Sequence, residues 1–133
     1  MTLLGGFPVA GVVRADDIVR AKRFYLDVLG LSESDGSEDV PGEVMLAAGN
    51  GTSVVLYERP GMPAPGNTVL GFGVPKEEFD KVMSELKGRG VSFEEYDIPE
   101  IGLRTVGGVA GMNGGRAAWF KDTEGNTLNI GTI

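Results

Sequence analysis

Arg14-Ala15-Asp16-Asp17-Ile18-Val19-Arg20-Ala21-Lys22-Arg23-Phe24-Tyr25-Leu26-Asp27-Val28-Leu29-Gly30-Leu31 reads as a complete helix with both ends marked. Asp17 carries the short acceptor side chain that caps the free N–H groups of a first turn. Ile18, Ala21, Phe24, Tyr25, Val28 and Leu29 recur at helical spacing and make one apolar stripe. Gly30 stands where a left-handed C-terminal cap belongs. The stretch therefore predicts a helix over about residues 17–29, and the apolar run 7–13 before it predicts a strand.

Downstream, residues 32–42 are polar and turn-rich, and two β-prone runs, 43–48 and 52–57, are split by the hairpin signal Gly49-Asn50-Gly51. A Pro- and Gly-rich connector follows at 60–66. The strand-then-helix pattern then returns. Residues 67–74 are apolar, Pro75 suits a first turn, and Phe79, Val82, Met83 and Leu86 form a buried stripe. Lys87 and Arg89 stand at the negative end of that helix, before Gly90. Residues 91–97 read as a strand, 102–115 as a Gly-rich loop with a short strand at 103–106, and 116–121 with 127–133 as a closing hairpin around Asp122-Thr123-Glu124-Gly125-Asn126. The loop segment 107–115 lacks the Gly-Lys-Ser/Thr ending and following helix of a nucleotide loop, so it is expected to be a flexible connector or a flap.

The two halves repeat. A shift of about sixty positions lays Ala10 on Val69 and Gly30-Leu31 on Gly90-Val91, so each half reads β-α followed by about three strands. One such unit cannot cover both faces of its own sheet, so two modules pair, within the chain or swapped between chains. Strand-helix alternation alone also suits a ferredoxin-like α+β domain.

Composition excludes more than it assigns. The chain has 133 residues, a net charge of −7 and 22 glycines, which implies one globular domain with many tight turns. Its lysines and arginines are scattered, so nucleic acid is not an expected partner. The acidic balance tilts expectation toward a cationic ligand. Cysteine and histidine are both absent, which removes disulfides, thiolate chemistry, Ser-His-Asp catalysis and His-containing zinc sites. No signal sequence or membrane span is evident, and a cytoplasmic location is the default.

The segment 14–31, with its acidic cap, its Phe24-Tyr25 pair and Asp27-Val28-Leu29-Gly30-Leu31, resembles the vicinal oxygen chelate superfamily of glyoxalases, bleomycin-resistance proteins and dioxygenases. So does the closing Phe120-Lys121-Asp122-Thr123-Glu124-Gly125-Asn126-Thr127-Leu128-Asn129-Ile130, which is similar to that superfamily's last hairpin. The resemblance implies an α+β fold of two βαβββ modules, about 7–58 and 67–133, in one domain spanning 1–133. Their strands would form a cup-shaped mixed sheet of eight strands with the helices outside.

Metal-dependent members of the resembled family carry ligands that fall here on Ala10, Val55, Val69 and Asn129. Three of these side chains are hydrocarbon and the amide of Asn129 alone is a weak donor, so no metal and no cofactor is expected. Strand alternation puts Val12 and Arg14, Ser53 and Tyr57, Gly71 and Gly73, Thr127 and Gly131 on the cup side with those positions. Trp119 falls where related members point a side chain at the ligand. The candidate ligand-binding residues are thus Val12, Val55, Tyr57, Trp119 and Asn129, with Arg116 as a rim group that could orient an anion. No carboxylate falls on the predicted cup face, so no catalytic residue is assigned. The expected function is metal-independent binding of a small molecule, cationic or aromatic, such as an antibiotic or metabolite, by a homodimer. The alternatives are a divergent lyase, isomerase or dioxygenase of the same superfamily and a ligand-free regulatory module.

Overall fold

The computed structural model describes residues 3–112 and 114–133, and these gather into two compact units, one ending at Ala64 and the other beginning at Pro65. The first unit contains β1 (Ala10–Ala15), α1 (Ile18–Arg23), β2 (Ser32–Glu33), β3 (Glu43–Ala47) and β4 (Ser53–Glu58). Its sheet has the order β1-β4-β3-β2. β1 lies parallel to β4, with Val12 opposite Val55 and Arg14 opposite Tyr57. A parallel pair needs a crossover, and α1 with the β3-β4 hairpin supplies it.

Asp17 caps α1 as expected, its carboxylate accepting from the N–H groups of Val19 and Arg20 at 3.1 Å each. The helix then loosens into a wide π-type turn over Phe24–Val28, which seats Tyr25 with no exposure at all. Gly30 ends it at φ +81°. Val13, Ala15, Val44, Leu46, Val54 and Leu56 alternate along three strands and are all buried, together with Ala21 and Tyr25 of the helical segment. Each large side chain in that layer contributes roughly 1.5–3 kcal/mol of hydrophobic stabilisation. Asn50 takes the left-handed conformation in the β3-β4 turn, which Asn tolerates. The strand expected over 7–13 starts only at Ala10, where the ladder to Ser53 begins.

The second unit repeats the order. It contains β5 (Thr68–Val74), α2 (Phe79–Gly88), β6 (Asp97–Ile98), β7 (Leu103–Val106), β8 (Val109–Met112), β9 (Gly115–Lys121) and β10 (Thr127–Thr132). Its sheet runs β5-β10-β9-β8-β7-β6, and the first and last strands, β5 and β10, are again parallel neighbours. Phe79, Met83 and Leu86 are the buried stripe of α2, while Val82, on the flank of that stripe, is only half-buried. The helix closes as a full left-handed cap, with the N–H of Gly90 donating to Lys87 O at 3.0 Å and that of Val91 to Leu86 O at 3.0 Å. Gly90 sits at φ +94°, and a side chain there would meet nothing within 4 Å. Gly90→Ala is therefore expected to cost about 1 kcal/mol through backbone strain alone, read as a lower urea midpoint with an unchanged slope.

Two sequence expectations need correction. The segment 107–115 is neither flap nor connector: Gly107 and Gly108, at φ +61° and +80°, make a two-residue turn, and β8 beyond it pairs with β9, Ala110 opposite Ala117. Asn113 lies outside the described residues. Residues 91–97 do not form a full strand. Only Phe93 bridges Phe120, the N–H of Glu94 donates to Trp119 O at 2.8 Å, and β6 follows at Asp97. The segment runs beside the second half of β9, where β8 no longer reaches, so Phe93 and Glu94 pair with β9 and Tyr96 and Asp97 with β7. The sheets number four and six strands among the described residues, where four per module were expected: the first unit matches that count with β2 included, and the second exceeds it by two, the two-residue β6 being one of the extra strands.

Candidate ligand-binding site

In the second unit the face of the sheet turned away from α2 carries the groups that could meet a ligand. The opposite face is filled by Ala118, Phe120, Leu128 and Ile130, all buried. Alternation then puts Gly115, Ala117 and Trp119 of β9, Asn129 and Gly131 of β10, and Gly71 and Gly73 of β5 on the free face. Asn129 is the cross-strand neighbour of both Trp119 and Gly71. Its side-chain oxygen lies over Gly71 so closely that a Cβ there would fall 2.6 Å from it. Glycine at 71 is what allows the amide to lie flat along the sheet.

Trp119 does not stand alone. The ring of Tyr96 meets it edge to face, with centroids 5.7 Å apart and planes at 84°. Tyr96 is placed by Thr105, whose hydroxyl accepts from the Tyr96 N–H at 2.7 Å, and by the Thr105 N–H, which donates to Tyr96 O at 2.8 Å. Beside them the Lys121 ammonium donates to the Glu94 carboxylate and, at 3.3 Å, to the Thr127 hydroxyl. The Glu94 bond holds the Lys121 ammonium above its ordinary value. Tyr96 is missing from the sequence-derived set, since residue 96 precedes Trp119 by a helixless stretch that pairs with nothing predictable in its own neighbourhood.

Burial first, and the Glu94 charge second, hold the Tyr96 phenol above its usual 10.0, against a smaller opposing pull from Lys121. The folded state thus keeps the proton more tightly than the unfolded chain. The stability it contributes is present below pH 10 and is lost as pH rises through the raised value. An alkaline absorbance titration of wild type minus Tyr96→Phe is expected to isolate a phenol that ionises above 10, and Glu94→Gln to move it down. A Tyr96 component at or below 10 in the wild type contradicts this packing.

The other sequence-derived residues divide. Val12, Val55 and Tyr57 lie together in the first unit, on the sheet face away from α1. Val12 is 62% exposed and Tyr57 is half-buried with the Arg59 guanidinium 4.4 Å above its ring. Arg14 shares that face but is buried, bonded to Asp16 at 2.9 Å. Arg116 belongs to the helix side of β9. Its guanidinium donates to Asp80 at 2.6 Å and rests 4.6 Å from the Phe79 ring.

An open depression of about 490 Å³ lies at one end of this sheet, lined by Ala117, Asn129 and Gly131 from the free face, with Met112, Ile133 and Lys76 among its walls. That volume suits a small organic molecule. In the first unit Ala10 and Val55 offer only hydrocarbon, and in the second Val69 and Asn129 offer one hydrocarbon side chain and one amide, so neither pair of positions supplies the donors that a divalent ion needs. No group of three or more His, Cys, Asp or Glu side chains gathers among the described residues. No helix among them is long and apolar enough to cross a membrane.

Two βαβββ modules, each with its first and last strands parallel, define an α+β protein built on an internal repeat. The chain matches the family model of the Glyoxalase/Bleomycin resistance protein/Dioxygenase superfamily over residues 8–130, and it belongs to that superfamily. A search of curated proteins returns no match. Among solved structures the chain is similar to a member of the same superfamily from Sphaerobacter thermophilus, at 23% identity and TM-score 0.69, covering 96% of this chain and 97% of that one. It is also similar to the lactoylglutathione lyase of Agrobacterium tumefaciens, at 21% identity and TM-score 0.66, covering 95% and 92%. The fosfomycin resistance protein FosX of Listeria monocytogenes follows at 17% identity and TM-score 0.67, covering 93% and 88%. At these identities the likeness is one of fold.

Proposed function

We propose that the protein binds a small molecule without a metal ion, on the free face of the second unit between the Trp119-Tyr96 corner and Asn129. One observation carries the reading. The indole N–H of Trp119, the hydroxyl of Tyr96 and the amide of Asn129 belong to three half-buried residues of one face, and none has a hydrogen-bond partner among the described residues. Convergent polar groups left unused beside aromatic surface are what orient a small molecule in a binding site. Around them Gly71, Ala117 and Gly131 leave room, and the two rings offer apolar surface at low entropic cost. The similar structures include a fosfomycin resistance protein and a lactoylglutathione lyase, each named for a small molecule. In this reading the protein works in the cytoplasm as a homodimer, and sedimentation is expected to give twice the mass of one chain.

The test is a thermal-shift and fluorescence titration of protein stripped with EDTA, using small aromatic compounds of negative, zero and positive charge. Binding to the native state raises the melting point by mass action, by about 2.7 kcal/mol of added stability at a hundredfold excess over Kd. Fluorescence of the lone tryptophan is expected to change in parallel, and Trp119→Ala to weaken binding about three- to tenfold. A shift that disappears with EDTA and returns with Mn²⁺ or Zn²⁺ overturns the metal-free reading.

A further inference from the structure

The depression beside Asn129 is lined by two cationic residues and by no Asp or Glu side chain in a protein of net charge −7, and we propose that it takes the anionic end of a small organic oxyanion, a carboxylate or phosphonate on an apolar body. The inference rests on the small-molecule reading above and reverses the tilt toward cations that net charge alone suggests.

The cations are Lys76 and Arg116. Lys76 follows Pro75 directly, where the chain leaves β5 in an extended turn, and its exposed ammonium has no hydrogen-bond or ion-pair partner among the described residues. Arg116 is held differently. Asp80 takes one N–H of its Nη1, and Phe79 supports the guanidinium plane, so the group is anchored on its helix side. Its Nε and Nη2 donors have no acceptor among the described residues, and its side chain is 40% exposed. Asp80 is 82% exposed and does not line the depression, so water screens most of its field there. An anchored guanidinium with unused, coplanar donors is suited to an oxyanion.

A neutral donor joins them. The Thr132 hydroxyl oxygen accepts the Arg116 backbone N–H at 2.9 Å, which leaves its own hydrogen free to donate. Asn129 also contributes to the lining. Met112, Ala117 and Ile133 supply the apolar wall. Gly115 is required here, because any Cβ on it would collide with the Thr132 hydroxyl. The net charge of −7 opposes anions at long range, so selection must come from these close contacts.

Calorimetric titration of the full chain with phenylphosphonate, its neutral dimethyl ester and benzyltrimethylammonium tests the proposal. Phenylphosphonate is expected to bind at least about tenfold tighter than the ester or the cation, with the advantage shrinking as salt rises. Lys76→Glu, a change at an exposed position outside the core, is expected to remove most of the advantage of phosphonate over ester, measured as the ratio of the two affinities in the same variant. Equal affinities for phosphonate and ester, tighter binding of the cation, or a Lys76→Glu protein that keeps the phosphonate preference overturns the anion site while the small-molecule reading stands. Absence of binding by all three probes, with no change in Trp119 fluorescence, overturns both.

Discussion

Phe79→Ala is expected to destabilise the protein by about 3–5 kcal/mol, the largest loss of any single substitution considered. Phe79 begins α2 and has no exposed surface. It is the first rung of the stripe that Met83 and Leu86 continue, and the neighbouring layer of Phe120, Leu128 and Ile130 is equally buried, so a truncated side chain leaves a cavity that rigid strands cannot fill. The ring also carries the Arg116 guanidinium at 4.6 Å, so truncation frees that side chain as well. Phe79→Leu, which keeps most of the volume, is expected to cost under about 1.5 kcal/mol. Urea unfolding followed by Trp119 fluorescence reads both, because Trp119 belongs to the same unit. An alanine variant within 1 kcal/mol of wild type would show that α2 is not anchored through this ring.

Asp122→Ala is the second large effect, at about 3 kcal/mol, and its origin is polar. Asp122 closes the β9-β10 hairpin, and its carboxylate accepts from the backbone N–H groups of Glu124 at 2.8 Å and Asn126 at 2.9 Å and from the Asn126 side-chain amide at 2.9 Å. Asp122 is 6% exposed and Asn126 fully buried, so water cannot replace the lost acceptor. Buried donors left without a partner cost about 1–3 kcal/mol each before relaxation, and a hairpin that opens slightly recovers part of this. The exposed neighbour Thr123 serves as the control, with Thr123→Ala expected near 0.5 kcal/mol. Hydrogen exchange sharpens the result: the Asn126 amide is expected to lose protection in Asp122→Ala and to keep it in Thr123→Ala.

Both residues were legible from the chain alone, one by helical spacing and one by its place in a turn, and the same holds for most of the fold. Asp17, Gly30, Asn50 and Gly90 each act on backbone within a few positions of themselves. Alternation along strands also survives folding, and it divided Val13, Val54 and Leu56 from Val12 and Val55 correctly. The Gly107-Gly108 turn carried a usable signal that was outweighed by the glycines around it. A Gly-Gly pair is a two-residue hairpin dipeptide, but Ala110 and Gly111 lack the apolar alternation that marks a strand, and β8 exists because β9 offers it a ladder.

The candidate site was less legible. Sequence placed Trp119 and Asn129 on one face, since both follow from the period of a single hairpin. It could not place Tyr96 against Trp119, or turn Arg116 toward Asp80 and Phe79, because those contacts join segments whose separation along the chain says nothing about their distance in space. Caps, turns and strand faces are decided by forces that act over one or two turns of backbone, so residue order determines them. Which side chains complete a site is decided by the register between distant strands and by what a helix packs upon, and only the tertiary structure holds that information.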